Sequence, residues 1–180
     1  MDNTEKALNE ILASSTDSFL KENGIDLSAI EANVTATQET LSSQPLLFSL
    51  PYAGENMSGG FYLTCNYDFL KKTHPLREMN PDIGEGELKD WGGEICNQLL
   101  GRVKNTLLHS GVDFILSVPN VVTGNDFKIE SSSNPTITAV CATELNTFFS
   151  LSYTLKEPVE IDPLAGEREE SISEGDALFF

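Results

Sequence analysis

Asp90-Trp91-Gly92-Gly93-Glu94-Ile95-Cys96-Asn97-Gln98-Leu99-Leu100-Gly101 is the stretch that decides the fold. It lies within residues 87–109, where apolar side chains recur every three or four positions. At 100° per residue these side chains form one arc of a helix: Leu88, Trp91, Ile95, Leu99, Val103 and Leu107, with Cys96 and Leu100 at its edge. The spacing predicts a long amphipathic helix with this arc facing the core.

The opposite face of this predicted helix carries Asp90, Glu94, Asn97, Gly101 and Asn105. Glu94 and Asn97 are three residues apart, so their side chains are neighbours. An exposed glycine inside a helix costs about 1 kcal/mol relative to alanine, and the apolar arc does not require Gly101. A bare backbone there would let another macromolecule approach closely. On periodicity alone, two solvated polar residues and a tolerated glycine are the simpler explanation.

The segments on either side of this helix alternate between helical and strand-like patterns. Residues 4–23 predict an amphipathic first helix and residues 67–72 a short one, whereas residues 25–43 leave a helix and a loop both open. Strand-like runs bounded by turn residues occupy residues 45–52, 60–66, 112–118, 127–131, 136–143 and 147–155. This order predicts an α+β fold in which antiparallel sheet packs with the long helix.

The charge of the chain is strongly negative and unevenly distributed. The formal net charge is −17, which argues against nucleic acid or an anionic membrane as the partner. Residues 157–180 contain eight acids and one arginine, so their charge is 1 − 8 = −7. We therefore expect one domain over residues 1–156, with an N-terminal helical segment over residues 1–40, followed by an acidic mobile tail. The terminal Phe179-Phe180 either docks a partner, frays in solvent or packs on its own domain.

Cysteine and histidine are too few and too scattered for a disulfide framework or a metal site. The three cysteines, Cys65, Cys96 and Cys141, form no C-x-x-C pair, and the chain has two histidines. The start of the sequence has no basic leader, and no apolar run approaches the roughly 18 to 20 residues that cross a bilayer. We expect a cytoplasmic protein with reduced cysteines, no bound metal and no membrane contact.

Residues 90–101 resemble the signature helix of the CheC/CheX/FliY phosphatases, in which an acid, a small residue, a glutamate, an asparagine and a glycine recur at these intervals. Downstream, Ser-Val-Pro-Asn-Val-Val-Thr-Gly at residues 117–124 is similar to the strand and turn that follow the helix in that family. Glu-x-x-Asn occurs once in the chain, at Glu94. That single occurrence favours the CheX type over relatives with two such helices.

This resemblance implies a CheC/CheX-like fold and a hydrolase that dephosphorylates the aspartyl phosphate of a CheY-like response regulator in chemotaxis or two-component signalling. It implies that Asn97 orients the attacking water and that Glu94 pairs with the regulator's lysine. Asp90, Gly93 and Gly101 would belong to the partner-binding surface. The Mg²⁺ would be bound by the regulator, and this chain would need no cofactor of its own.

The same resemblance leaves a non-catalytic function open. A CheX-like module could dock a receiver domain or a flagellar-switch protein through the same helix face without hydrolysis. Alternatively, a homodimeric adaptor could recruit such a partner through its acidic tail and Phe179-Phe180. A homodimer is expected under either reading, so the oligomeric state does not separate them.

Overall fold

The computed structural model describes residues 3–26, 31–32, 45–80, 82–124, 136–142 and 145–164. These residues form three helices, α1 (Asn3–Glu22), α2 (Tyr67–Thr73) and α3 (Glu85–Leu108). They also form seven strands: β1 (Glu31–Ala32), β2 (Leu46–Ala53), β3 (Met57–Cys65), β4 (Ile115–Leu116), β5 (Asn120–Thr123), β6 (Thr136–Ala142) and β7 (Thr147–Leu155). The predicted α+β class is confirmed.

The described strands form one antiparallel sheet in the order β1-β6-β7-β3-β2-β4, and β5 also pairs with β2. The long strands β3 and β7 pair at the centre, and β2 and β6 flank them. Helices α1 and α3 pack against each other, and on the sheet α1 packs mainly on β6, whereas α3 packs mainly on β2 and β3.

The core lies between the two long helices and one face of the sheet. Alternate residues of β2, namely Leu46, Phe48, Leu50 and Tyr52, face it and are buried. The predicted apolar arc of α3 is buried except for Trp91, which is half-buried at its margin. The indole Nε1 of Trp91 donates to Oγ1 of Thr73 at 3.0 Å. Because this ring needs a hydrogen-bond acceptor, it lies beside α2 rather than in the centre of the core.

The helix predictions are confirmed by α1, α2 and α3, and β2 and β3 form the predicted hairpin. The strand predicted over residues 112–118 was too long, because only Ile115–Leu116 pair with β2. The residue pattern did not predict β5, since its four residues are exposed and lack alternation, whereas the resemblance placed a strand and turn at residues 117–124. The strand predicted over residues 127–131 lies outside the described residues.

The beginning of the predicted tail packs against the domain. Val159 and Ile161 are partly buried on the hydrophobic core. The backbone N–H of Glu157 donates to Oδ1 of Asn56 at 2.9 Å, and that of Asp162 donates to Oγ of Ser110 at 3.2 Å. Residues 165–180, which include the terminal phenylalanines, lie outside the described residues, so mobility there stays a prediction.

Candidate functional site

Helix α3 is the platform of the candidate site. It begins after Gly84, which provides no side-chain cap, but Glu85 and Glu87 place negative charge in the first turn, where the helix dipole favours it. At the other end the backbone N–H of Val112 donates to the carbonyl of Leu107 at 3.0 Å, and Gly111 adopts a φ of 74°. This is the left-handed conformation that ends many helices, and glycine adopts it without strain.

Gly92 brings α3 close to the sheet. Its buried Cα faces the ring of Phe48 in β2, so α3 lies directly on this ring. The helical periodicity of apolar residues did not assign Gly92 to the core, because glycine has no apolar side chain. The signal was nevertheless present, since Gly92 lies between Leu88 and Cys96 in one row of residues spaced by four.

A groove of about 260 Å³ runs between α3 and the segment that enters β5. Its lining residues are Phe48, Lys89, Asp90, Gly93, Glu94, Asn97, Pro119, Asn120 and Val121. Gly93 forms the contact between the two walls, because a Cβ at this position would lie 3.4 Å from Cβ of Pro119. The structure thus brings together the two segments that carry the family resemblance, which are about twenty residues apart in the sequence.

Glu94 and Asn97 lie side by side along this groove but differ in their hydrogen bonding. Oε1 of Glu94, an exposed residue, accepts a hydrogen bond from Nε2 of Gln98 at 3.0 Å. Within the described residues, the partly exposed carboxamide of Asn97 makes no hydrogen bond. Asn97 therefore has its donor and acceptor groups available for a ligand, whereas one oxygen of Glu94 is already held.

Of the other predicted site residues, Asp90 is exposed and lines the groove. Gly101 lies one turn beyond Asn97, outside the groove, and a Cβ there would meet no atom within 4 Å. The structure therefore brings Asp90, Gly93, Glu94 and Asn97 together and leaves Gly101 at the edge of this face. The sequence analysis did not assign three further residues to the site, namely Lys89, Phe48 and Gln98. Lys89 could have been found from spacing, because it precedes Gly93 and Asn97 in one row of residues four apart.

The thiol carried by α3 itself, that of Cys96, is not available for chemistry. Cys96 lies on the buried side of α3, and burial raises the pKa of its thiol. A neutral, buried thiol is neither a nucleophile nor a metal ligand. The arrangement suits positioning of a water or docking of a partner rather than covalent catalysis.

No cluster of three or more metal-binding side chains occurs among the described residues. The expectation that Mg²⁺ is bound by a partner rather than by this chain therefore stays a prediction. Similarly, no helix in the described ranges combines the length and apolar character that a membrane span requires.

Comparison with known proteins supplies the family of the chain. The family model described as chemotaxis phosphatase CheX matches residues 49–141, slightly more than half of the sequence. That range contains the whole of α3, every lining residue of the groove except Phe48, and both segments that resemble the signature pattern. No curated protein sequence matches the chain.

Solved structures share the fold at low sequence identity. The chemotaxis protein CheX from Vibrio vulnificus matches with a TM-score of 0.63 and 19% identity, over 82% of this chain and 96% of that chain. The CheX–CheY–BeF3–Mg complex from Borrelia burgdorferi matches with a TM-score of 0.57 and 14% identity, over 82% and 97%. The FliM middle domain from H. pylori matches with a TM-score of 0.55 and 13% identity, over 85% and 92%.

Proposed function

Because the chain belongs to the chemotaxis phosphatase CheX family, we propose that it hydrolyses the aspartyl phosphate of a CheY-like response regulator. The observation that carries this proposal is the free carboxamide of Asn97 beside Glu94, along an open groove on one helix face. The solved complex of a CheX with a CheY supports a response regulator as the class of partner.

Asn97 would orient the attacking water. A carboxamide both donates and accepts hydrogen bonds, so it can hold a water in line with phosphorus without placing a charge beside the anionic phosphoryl group. Charge stabilisation would come from the regulator's Mg²⁺ and lysine. Positioning of this kind contributes several kcal/mol, so loss of Asn97 is expected to lower the rate on the order of 100-fold.

Glu94 would hold the regulator in the productive orientation. Its Oε1 accepts a hydrogen bond from Gln98, so the side chain is partly fixed before a partner arrives. Its second oxygen could then accept a charge-assisted hydrogen bond from the regulator's lysine, which is about twice as strong as a neutral one. Glu94 therefore acts in docking, whereas Asn97 acts on the water.

The test is the release of phosphate from phosphorylated receivers of the same organism. The Asn97→Ala variant is compared with Asn105→Ala, because Asn105 is an exposed residue of the same type on α3 and lies outside the groove. We expect Asn97→Ala to lower the accelerated rate on the order of 100-fold and Asn105→Ala to retain it. Wild-type protein that accelerates none of the receivers would refute the enzymatic function, and equal activity of both variants would refute the site.

The alternative function is docking without hydrolysis, and the fold similarity to a FliM middle domain favours keeping it. In that case wild-type protein would bind a receiver loaded with beryllium fluoride, but the phosphorylated receiver would still hydrolyse only at its intrinsic rate. Glu94→Ala would weaken this binding.

The proposed homodimer is tested separately by sedimentation velocity on the full chain, where a monomer at micromolar concentration would contradict it.

A further inference from the structure

The three basic residues of α3 differ in how firmly they are paired. Nη1 of Arg102 lies 2.8 Å from Oε1 of Glu22, and Nζ of Lys104 lies 3.0 Å from Oδ1 of Asp113. Nζ of Lys89, by contrast, lies 3.8 Å from Oε2 of Glu85. The two closely paired cations lie outside the groove, whereas Lys89 lines it.

The resting partner of Lys89 is itself loosely held. The Glu85 side chain is 74% exposed, and its Oε2 also accepts a hydrogen bond from the hydroxyl of Tyr67 at 3.3 Å. The Lys89 side chain is 30% exposed, and a partly exposed ion pair of this kind contributes about 0.2–1 kcal/mol at most, because water and salt screen it. Lys89 can therefore exchange this pair for a partner's carboxylate at little cost.

The position of Lys89 places its ammonium group along the same surface as the proposed catalytic pair. Lys89, Gly93 and Asn97 are spaced by four residues and lie in one row of the helix. Gly93, between the other two residues, has no side chain and lies against Pro119 of the opposite wall. Eight residues at 1.5 Å each put the Lys89 and Asn97 Cα atoms about 12 Å apart. In its pair with Glu85, the Lys89 ammonium group lies on the side of Lys89 away from Asn97, so it would meet a partner beside the phosphoryl group rather than at it.

We propose that Lys89 is the docking cation of this surface and binds a carboxylate on the regulator, beside rather than at the phosphoryl group. This inference rests on the proposed function and names a further binding residue for it. The other charged residues of the groove, Asp90 and Glu94, are negative, and the chain carries a net charge of −17. Without Lys89, this face would repel an anionic phosphoprotein. The lysine supplies local complementarity that the overall charge lacks.

The experiment measures steady-state dephosphorylation and receiver binding for Lys89→Met, Lys89→Arg and Lys104→Met. Lys104→Met is the matched control, since it removes the same charge from the same helix about 22 Å away. For Lys89→Met at low salt we expect a KM about twofold to fivefold higher, as for a partly exposed ion pair, with kcat within twofold of wild type. The KM difference should shrink as added salt screens the pair. Lys89→Arg should restore the wild-type KM, and Lys104→Met should leave it unchanged.

Binding to the regulator distinguishes a carboxylate from the phosphoryl group. The Kd is measured for the unmodified regulator and for the regulator loaded with beryllium fluoride. A carboxylate ligand predicts that Lys89→Met weakens both complexes by the same factor. Weakening only of the loaded complex would overturn the proposal in favour of a phosphoryl contact. A KM of Lys89→Met equal to that of wild type, or an equal rise in Lys104→Met, would also overturn it.

Failure of the proposed function has a different signature. If wild-type protein binds the receiver without accelerating hydrolysis, the enzymatic proposal fails, and the two Kd measurements still decide the role of Lys89. If wild-type protein neither hydrolyses nor binds any receiver, both proposals are refuted together. A defect of Lys89→Met alone, against active wild-type protein, is expected only if Lys89 makes the docking contact.

Discussion

The ring of Phe48 in β2 occupies the space that a side chain at position 92 of α3 would need. An ideal Cβ on Gly92 would lie 2.1 Å from Cζ of Phe48 and 2.4 Å from Cε1. Phe48 is 1% exposed and also lines the groove, so its ring is both a core residue and the floor of the site. The distance between helix and sheet at this point therefore determines the depth of the groove.

Gly92→Ala should destabilise the protein although alanine is the better helix former. The added methyl group must displace the Phe48 ring or α3, and such overpacking typically costs about 1–3 kcal/mol. The gain in helix propensity, about 1 kcal/mol, offsets only part of that cost. Chemical unfolding in urea, with the midpoint and slope compared with wild type, measures the difference.

Gly86→Ala is the control for this substitution, because Gly86 is also in α3 and a Cβ there would meet no atom within 4 Å. It should leave stability unchanged or raise it slightly. If Gly92→Ala unfolded at the same urea concentration as Gly86→Ala, the Phe48 ring would not be a rigid obstacle, and the close contact would have no energetic consequence.

Gly101→Ala should separate stability from partner binding. A Cβ at position 101 meets no atom within 4 Å, so alanine is expected to stabilise the helix by about 0.5–1 kcal/mol. If the bare backbone at Gly101 permits close approach of a regulator, the same substitution should raise KM, and Gly101→Leu should raise it further. Thermal unfolding and steady-state dephosphorylation are measured on the same preparations. A stabilised protein with unchanged KM in both variants would remove Gly101 from the partner-binding surface.

The sequence predicted the helices and long strands because their signals are local. The apolar row through Ile95, Leu99 and Val103 defines the buried side of α3 without any knowledge of the sheet. β5 gave no such signal, because it is an exposed strand held by pairing with β2 rather than by its own burial. Its pairing depends on residues more than seventy positions earlier, which no local pattern contains.

The candidate site shows the same division between local and distant information. The adjacency of Glu94 and Asn97 follows from helical spacing alone. The groove does not, since it exists only because Pro119 contacts Gly93 and Phe48 reaches under Gly92. Lys89 lines the groove for the same reason. Its distance from the opposite wall is a tertiary property, whereas its place in the helical row was already available from the sequence.

The ion pair between Glu22 and Arg102 should make stability depend on acid pH. Both guanidinium nitrogens of Arg102 donate to the Glu22 carboxylate, which ties the end of α1 to α3. The hydrogen-bonded guanidinium lowers the pKa of Glu22. Because the folded pKa lies below the unfolded one, this stabilisation is present at neutral pH and is lost as pH falls through the folded pKa.

We expect Glu22→Gln to lower the free energy of unfolding by about 0.2–1 kcal/mol at pH 7, since the pair is largely exposed. The difference from wild type should vanish at low pH, where Glu22 itself is protonated. Glu10→Gln serves as the control, because Oε1 of Glu10 lies 3.9 Å from Nζ of Lys6 and the two form a looser ion pair within α1. A Glu22→Gln difference that persists unchanged at low pH would show that the effect is not electrostatic.

Two buried thiols give a further prediction. Cys65 lies in β3 and Cys96 in α3, so each of the two packed layers carries one of them. Both are free and fully buried, and burial raises the pKa of each thiol. The thiolate is the form that attacks an alkylating reagent, so neither cysteine should react appreciably in folded protein at pH 8. Peptide-resolved mass spectrometry after iodoacetamide treatment, with and without urea, measures the protection. Rapid labelling of Cys96 in the folded protein would mean that α3 leaves the sheet readily, and a groove whose floor is Phe48 would not persist long enough to position a water.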